Sequence, residues 1–291
     1  MLLAIDIGGT KLAAALVDNT VIMARRQVPM ATDAAGFAAA IDTLVAGWPA
    51  PERISVATTG YIDGGKVYPV NRAIISFWNG FPLEQLLRTR FRCPVVLFND
   101  AQAAAWGEYC ARRDMGEAGH PANLLFITLS TGVGGGLVLD HRLRAGPHGL
   151  AGHVGHAPAR LPPADGASLC GCGRLGCLEM LASGTALARQ ASAVFQSPLD
   201  SAALFALAAS EPRAAAILDN AALAVAEAIA GLHMSIDLDA VVLGGSVGLA
   251  PGMLQRISTA LAGLPLPCPP SLGAARLGAD AGLLGAAACP A

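Results

Sequence analysis

The sequence is poor in charged and aromatic residues. Charged residues make up 14% of the 291 positions, against about 25% in typical soluble domains. The 19 Lys and Arg residues nearly balance the 21 Asp and Glu residues. Because no basic excess is present to neutralise phosphate groups, these numbers argue against a general nucleic-acid-binding surface. Intrinsic disorder is also excluded, since hydrophobic residues reach 54% and supply ample surface for burial.

The chain also lacks the marks of export and of membrane insertion. No run of about 20 apolar residues is free of Gly, Pro and polar interruptions. Asp6 breaks the first apolar run and no basic segment precedes it, so we expect no signal peptide. The seven cysteines are odd in number, which argues against a disulfide framework. These absences predict a soluble, cytoplasmic protein without a membrane partner.

Strands and helices alternate along the chain, which predicts the α/β class. Leu2–Ile7 is an apolar strand followed by a glycine turn and a second strand, Leu12–Val17. The pattern returns at Leu124–Leu129, which precedes a predicted glycine-rich turn, Ser130–Gly136, and a strand, Leu137–Leu139. Two halves that open alike predict two similar lobes around a cleft. We place the lobes at residues 1–118 and 119–291, with the last helix packing back on the first lobe.

The first glycine turn has the composition of a phosphate site. Its two glycines let the backbone approach a ligand, and unobstructed N–H groups in a tight turn form an anion-binding concavity. Thr10 adds a hydroxyl and Lys11 adds a positive charge. Asp6 has the carboxylate to hold a hydrated magnesium ion. The alternative is an ordinary Gly-Gly hairpin turn, and the segment alone does not decide between them.

The second glycine turn has more glycine than a hairpin requires. Four of the five positions from 132 to 136 are glycine. A turn needs one such residue, whereas several in succession favour contact between the backbone and a polyphosphate. We therefore predict a second phosphate-binding turn.

Three cysteines fall within eight residues, at Cys170, Cys172 and Cys177. Together with a histidine they form a Cys₃His set, which is a common tetrahedral zinc site. His156, His153 and His148 all lie close enough in sequence to complete it. The alternative is three reduced thiols beside an unrelated histidine.

Two acidic positions are candidates for substrate chemistry. Asn99-Asp100 lies where an apolar strand meets a helix, which suits either a helix cap or a carboxylate at the ligand-binding edge of a sheet. With two phosphate-type turns in the chain, a positioned base is the better interpretation of Asp100. Glu179 is either a surface carboxylate or, so close to the cysteine cluster, a ligand for the substrate.

Taken together, these segments resemble the ROK family of sugar kinases, and the resemblance extends from Ile5 to the last helix. It implies a two-lobed actin-like ATPase fold, which is ribonuclease H-like, with a cleft between the lobes and a small zinc-binding loop. It further implies ATP with Mg²⁺, a structural Zn²⁺, a small sugar as substrate and a homodimer.

The family pattern assigns roles to individual positions. The catalytic aspartate falls on Asp100. The nucleotide-binding residues fall on Asp6, Gly8, Gly9, Thr10, Lys11, Thr131, Gly132, Val133, Gly134, Gly135, Gly136, Gly244 and Gly245. The sugar-binding residues fall on Asn71, Asn99, Asp100, His153, His156 and Glu179. The zinc ligands fall on His156, Cys170, Cys172 and Cys177.

One position departs from the family pattern. His153 stands where family members usually carry a sugar-binding Glu, and a neutral imidazole has one donor where a carboxylate only accepts.

This His-x-x-His form, with Leu3–Lys11 and Asn99–Trp106, is similar to the bacterial subgroup that acts on N-acetylmannosamine. The resemblance implies transfer of phosphate from ATP to the 6-hydroxyl of N-acetyl-D-mannosamine in sialic acid catabolism. The alternatives within the family are N-acetylglucosamine kinase and glucokinase.

Two interpretations from other classes are weaker. Sugar-responsive repressors of the family carry a helix-turn-helix before the first phosphate turn, and Asp6 leaves no room for one here. A non-catalytic sugar-binding protein would not need the Asp100 carboxylate and both glycine turns.

Overall fold

A computed structural model describes residues 1–18, 21–71, 75–114 and 120–289. The chain divides into two compact units. Unit 1 comprises residues 1–120, 143–151 and 279–291, and unit 2 comprises residues 121–142 and 152–278. The boundary predicted between residues 118 and 119 falls outside the described residues, and two later segments of the chain return to unit 1.

Twelve strands and ten α-helices are present in the described residues. The strands are β1 Leu2–Ile7, β2 Lys11–Asp18, β3 Val21–Pro29, β4 Arg53–Thr58, β5 Tyr61–Asp63, β6 Lys66–Tyr68, β7 Val95–Asn99, β8 Leu124–Leu129, β9 Val133–Leu139, β10 Arg142–Arg144, β11 Ala240–Gly244 and β12 Ser271–Ala274. The helices are α1 Ala34–Val45, α2 Leu83–Phe91, α3 Asp100–Asp114, α4 Glu179–Ala182, α5 Gly184–Phe195, α6 Ser201–Leu207, α7 Pro212–Ile236, α8 Gly245–Gly248, α9 Met253–Ala262 and α10 Ala281–Ala288.

Unit 1 is built on a five-stranded sheet in the order β3-β2-β1-β4-β7. β1, β4 and β7 are parallel. β1 and β4 are almost entirely buried, as expected for strands covered on both faces, whereas the middle of β7 is partly exposed. Phe37, Phe77, Trp78 and Phe81 pack edge-on or stacked in the core on one side. On another side α10 packs against β1, β4 and α3. The parallel strands therefore end together at one edge of the sheet.

Unit 2 repeats the same strand order as β10-β9-β8-β11-β12. Its core is dominated by α7, which begins with Pro212 at its first turn and has a Glu211 cap. Among the described helices, α7 alone is long and apolar enough to span a membrane. In the structure, side chains such as Ile217, Val225 and Ile229 are buried in the unit's own hydrophobic core, so α7 is the central helix of a packed domain.

The repeated strand order confirms the α/β class and the repeated opening of the two halves. One local prediction was wrong. Residues 133–136 were expected in a turn, but β9 already begins at Val133 and pairs with β8. At Gly135 the glycine is required by packing, because a Cβ there would lie 2.6 Å from the Gly152 carbonyl oxygen. The glycine that suggested a turn is therefore required here because the backbones of residues 135 and 152 approach each other closely.

Candidate active site and metal site

Two carboxylates lie at the carboxyl edge of the unit 1 sheet. Asp6 is next to last in β1, and Asp100 directly follows β7 as the first residue of α3. β4 lies between these strands and is parallel to both. Parallel strands of an open α/β sheet place ligands beyond their carboxyl ends. The structure therefore brings Asp6 and Asp100 to the edge where such ligands bind.

Asn99 has a structural role beside Asp100. Its Oδ1 accepts hydrogen bonds from the N–H groups of Ala101 (3.0 Å) and Gln102 (3.2 Å), and its Nδ2 donates to the Gly60 carbonyl (2.8 Å). Asn99 thus caps α3, and the carboxylate of Asp100 lies at the first position of the helix. The cap interpretation of Asn99 holds, and its role as a sugar ligand stays a prediction.

Burial dominates the electrostatics of the two carboxylates. Burial, reinforced by the Asp100 charge and opposed by Arg25, raises the pKa of Asp6 to about 7. Burial also raises the pKa of Asp100, although hydrogen bonds from the Ala101 N–H and the Asn99 side chain oppose that shift. A bound Mg²⁺ would reverse this balance, because a cation favours the ionised form of nearby carboxylates. The pair therefore fits the hydrated magnesium ion predicted for Asp6.

The first glycine turn is tight and open to solvent. The Gly8 N–H donates to the Lys11 carbonyl (2.9 Å), which closes the turn between β1 and β2. Gly9, Thr10 and Lys11 are exposed. The turn is accessible to a nucleotide, and its phosphate-binding role stays a prediction.

The second turn already binds a carboxylate of the chain itself. The Val133 N–H donates to Oε2 of Glu179 (3.0 Å). Gly132 leaves the space for that carboxylate, since a Cβ there would lie 2.8 Å from the same oxygen. The start of α5 holds the turn in place, because the Gly184 N–H donates to the Ser130 carbonyl (2.6 Å) and the Thr185 hydroxyl donates to the Thr131 carbonyl (2.9 Å). The turn thus offers a backbone donor to an anion, as expected for its type.

The predicted zinc ligands converge in unit 2. One ligand atom from each of His156, Cys170, Cys172 and Cys177 lies within 4.8 Å of the other three. The Cys172 and Cys177 sulfur atoms are 3.6 Å apart, and Cys170 Sγ is 3.6 Å from His156 Nδ1. A tetrahedral zinc ion with Zn–S distances of about 2.3 Å requires ligand separations of about 3.8 Å. The cluster therefore has the composition and the spacing of a Cys₃His zinc site, with His156 in the set in preference to His148 or His153.

The thiols are crowded in a way that a metal would relieve. Burial raises the pKa of Cys177 to about 12. Burial also acts upward on Cys172, but hydrogen bonds from Arg174 and from the neighbouring cysteines lower its pKa to about 7. Zinc binds thiolates, so a bound ion would supply the positive charge that three adjacent sulfurs lack.

Four predicted ligand positions remain, at His153, Gly244, Gly245 and Asn71. The His153 and His156 rings are 6.5 Å apart and nearly parallel. Gly244 ends β11, and Gly245 begins α8 at a φ of +83°. Asn71 lies in a bend directly before residues 72–74, which are outside the described part. The ligand-binding roles of these residues stay predictions.

Two polar residues of unit 1 escaped sequence analysis. The Gln102 amide is buried and donates to the carbonyls of Gly149 (3.1 Å) and Ala151 (2.8 Å), which fastens residues 145–151 to α3. Arg25 forms an ion pair with Asp280 (2.9 Å) across 255 positions of sequence. No local sequence pattern predicts an ion pair between residues as distant as Arg25 and Asp280. For Gln102 a signal was available, because it is a polar residue within the apolar face of a helix.

Comparison with known proteins decides the family. The model of the ROK family matches residues 2–290. This chain belongs to the ROK family. The N-acetylmannosamine kinases of Yersinia pseudotuberculosis and Vibrio cholerae are 42% and 40% identical to it. Each alignment covers 98% of this chain, and 96% and 97% of the respective relative.

A solved structure of the family also superimposes on the whole chain. It is a ROK glucokinase from Streptomyces griseus in complex with glucose and AMPPNP, and it is 33% identical with a TM-score of 0.79. The alignment covers 98% of this chain and 97% of that one. This agreement confirms the ROK family and fold predicted from the motifs.

Proposed function

We propose that this ROK protein transfers the γ-phosphate of ATP to the 6-hydroxyl of N-acetyl-D-mannosamine. The observation that carries the proposal is the near-complete alignment with two relatives named N-acetylmannosamine kinase, at 40% and 42% identity. His153 supports the same substrate, since it replaces the Glu usual in the family. N-acetylglucosamine kinase or glucokinase activity is the second candidate, favoured by the likeness to the Streptomyces griseus glucokinase.

Asp100 would act as the base of the reaction. It lies at the carboxyl edge of the sheet with a pKa raised by burial, and a base with a pKa closer to neutrality accepts a proton from an attacking hydroxyl more readily. Its Oδ1 is oriented by the Ala101 N–H (2.8 Å). Proton removal from the sugar hydroxyl at this carboxylate accompanies attack on the γ-phosphate.

The nucleotide and its magnesium ion would be held by the chain's glycine turns. Asp6 would supply the carboxylate toward hydrated Mg²⁺. The Gly8–Lys11 turn and the Thr131–Gly136 segment, whose last four residues begin β9, would contact the phosphates through their backbone. Gly244 and Gly245 would contact the adenosine. Mg²⁺ supplies charge neutralisation of the triphosphate when bound.

A structural Zn²⁺ would hold the loop that presents the sugar ligands. His156 would bind the ion through one ring nitrogen and could direct the other toward the sugar. Glu179 lies two residues after the ligand Cys177 and would accept from a sugar hydroxyl, as would the imidazole of His153. We further propose that the protein is a cytoplasmic homodimer. Light scattering of the purified chain tests the dimer, and cell fractionation tests the compartment.

A substrate panel tests the proposed activity. The value of kcat/KM is measured in a coupled assay with N-acetylmannosamine, N-acetylglucosamine, mannose and glucose. We expect N-acetylmannosamine to give the highest value, by about tenfold or more, because a polar site discriminates strongly against sugars that leave its groups unpaired. A preference for glucose would overturn the substrate assignment and leave the family unaffected.

A further inference from the structure

The Asp6 carboxylate lies against the first turn of the last helix. A Cβ built on Gly282 would be 3.0 Å from Asp6 Oδ2, 3.1 Å from Cγ and 3.4 Å from Oδ1. All three carboxylate atoms therefore face the glycine at once. Ordinary contacts of a Cβ begin at 3.4 Å, so a side chain at position 282 would displace the carboxylate.

No hydrogen bond to the Asp6 carboxylate is formed within the described residues. Its charged surroundings in unit 1 are Asp100, Arg25 and Asp280, and Arg25 pairs with Asp280, the residue that precedes α10. The direction of the Asp6 side chain is therefore set by its packing against the surface of α10 at Gly282.

The second half of α10 is anchored to β4 and α3, which limits how far its first turn can move. The Ala286 carbonyl accepts from the Ser55 hydroxyl (2.6 Å), and the Ala288 carbonyl accepts from Trp106 Nε1 (2.9 Å). Gly285 lies directly against the Ala103 carbonyl of α3, with no room for a Cβ. A bulkier residue at position 282 can push the helix away from β1 only slightly, so the carboxylate has to move.

From this geometry we propose that Gly282 is a positioning residue for the kinase reaction: its missing side chain fixes the Asp6 carboxylate where it serves Mg²⁺·nucleotide. The inference rests on the proposed role of Asp6 and extends it to a residue 276 positions away, which no phosphate motif includes. The Arg25–Asp280 pair supports the same turn from the solvent side.

The test uses two Gly→Ala variants of the same helix and one control. Gly282→Ala should displace the Asp6 carboxylate by a few tenths of an ångström. Gly285→Ala should strain the packing of α10 on α3 and lower Tm without a selective effect on magnesium. Gly231→Ala, in the interior of α7 with nothing within 4 Å of the added Cβ, should leave the magnesium effect unchanged and raise Tm slightly, because alanine has the higher helix propensity.

The decisive measurement is calorimetric binding of ADP to each full-length variant, with excess Mg²⁺ and with EDTA. For Gly282→Ala we expect the affinity gain from Mg²⁺ to fall about tenfold, which corresponds to about 1.4 kcal/mol. ADP binding in EDTA and Tm should stay close to those of the parent chain. In the kinase assay the KM for Mg²⁺·ATP should rise, with a smaller change in the KM for the sugar.

A second readout separates this inference from the role assigned to Asp6. The ¹³C carboxyl resonance of Asp6, assigned by its loss in Asp6→Ala, is recorded at pH 8.5 without metal. It should shift in Gly282→Ala and remain in place in Gly231→Ala. An unchanged resonance in Gly282→Ala would overturn the inference. If instead the resonance shifts while Asp6→Ala retains the full magnesium effect, the positioning stands and the magnesium role of Asp6 fails.

Discussion

The two units share one strand order and differ in where they place a carboxylate. β1 and β8 are both six residues long, and their fifth residues are Asp6 and Thr128. In unit 1 the acidic group thus belongs to the sheet and rests on Gly282. In unit 2 the equivalent strand position is neutral, and the carboxylate beside the turn is Glu179, which follows the cysteine cluster.

This difference indicates that the repeated topology supplies a scaffold and that its chemistry is specified locally. Unit 1 concentrates half-buried carboxylates whose pKa values are raised, which suits proton transfer and Mg²⁺. Unit 2 concentrates thiols and an imidazole at zinc spacing, which suits structural support. If the two units divide their roles in this way, substitutions in the Cys/His cluster of unit 2 should mainly lower stability. Substitutions of Asp6 and Asp100 in unit 1 should mainly lower the rate of phosphate transfer.

Loss of the zinc site should have the largest effect on folding. Structural zinc contributes on the order of 10 kcal/mol in isolated zinc domains, and here it would hold one loop of a larger unit. We expect Cys177→Ser or His156→Ala to lose zinc and to lower Tm by about 10 °C or more, since each kcal/mol is worth roughly 2–4 °C in a domain of this size. Metal analysis and calorimetry measure both quantities.

Cys268→Ser is the matched control, because Cys268 is an exposed cysteine of unit 2 outside the cluster. It should retain one zinc per chain and the parent Tm. Undiminished zinc in His156→Ala would remove that residue from the ligand set.

A smaller effect is expected at Asp6, and it should depend on pH. The folded-state pKa is raised from 3.8 to about 7, so ionisation of Asp6 costs stability as the pH rises through that range. Asp6→Asn removes this cost. Without Mg²⁺, the variant should match the parent chain near pH 4 and exceed it above pH 7 by up to about 4 kcal/mol, at about 1.4 kcal/mol for each pKa unit.

Urea unfolding of both chains from pH 4 to pH 8 measures this difference. A gap between variant and parent that is constant with pH would show that Asp6 does not titrate in this range. Added Mg²⁺·ADP should stabilise the parent chain more than the variant.

The smallest expected effect concerns the bond between Glu179 and the second turn. Glu179→Ala leaves the buried Val133 N–H without its acceptor, which typically costs about 1–3 kcal/mol. Glu179→Gln keeps a carbonyl oxygen for that bond, and we expect it to cost less than about 1 kcal/mol. Equal losses in the two variants would mean that the charge of Glu179, and not the hydrogen bond, stabilises the turn.

Most strands and the convergence of the Cys/His cluster were predictable from the sequence for physical reasons. Buried strands such as Leu124–Leu129 are nearly continuous apolar runs with clear ends, and closely spaced cysteines beside a histidine are typical of a metal site. Glycine was harder to interpret, because a glycine in a turn and a glycine under a crossing backbone look the same. Gly135 was therefore assigned to a turn although it lies in β9, and Gly282 drew no attention.

The residue contacts between distant segments could not be predicted. The last helix was expected to pack on the first lobe, but a single sequence does not show which residues meet there, such as Arg25 with Asp280 or Asp6 with Gly282. For the proposed catalytic site of unit 1, the sequence predicted which residues lie at the ends of the strands but not which residues surround them.

The central claim is that Asp100, at the carboxyl edge of unit 1, is the base of sugar phosphorylation. Its direct test is kcat of Asp100→Asn with saturating ATP·Mg²⁺ and N-acetylmannosamine, in protein with parent zinc content and Tm. Because general-base catalysis typically contributes about 10²–10⁴-fold, we expect kcat to fall by that factor. Turnover within about fivefold of the parent chain would contradict the account.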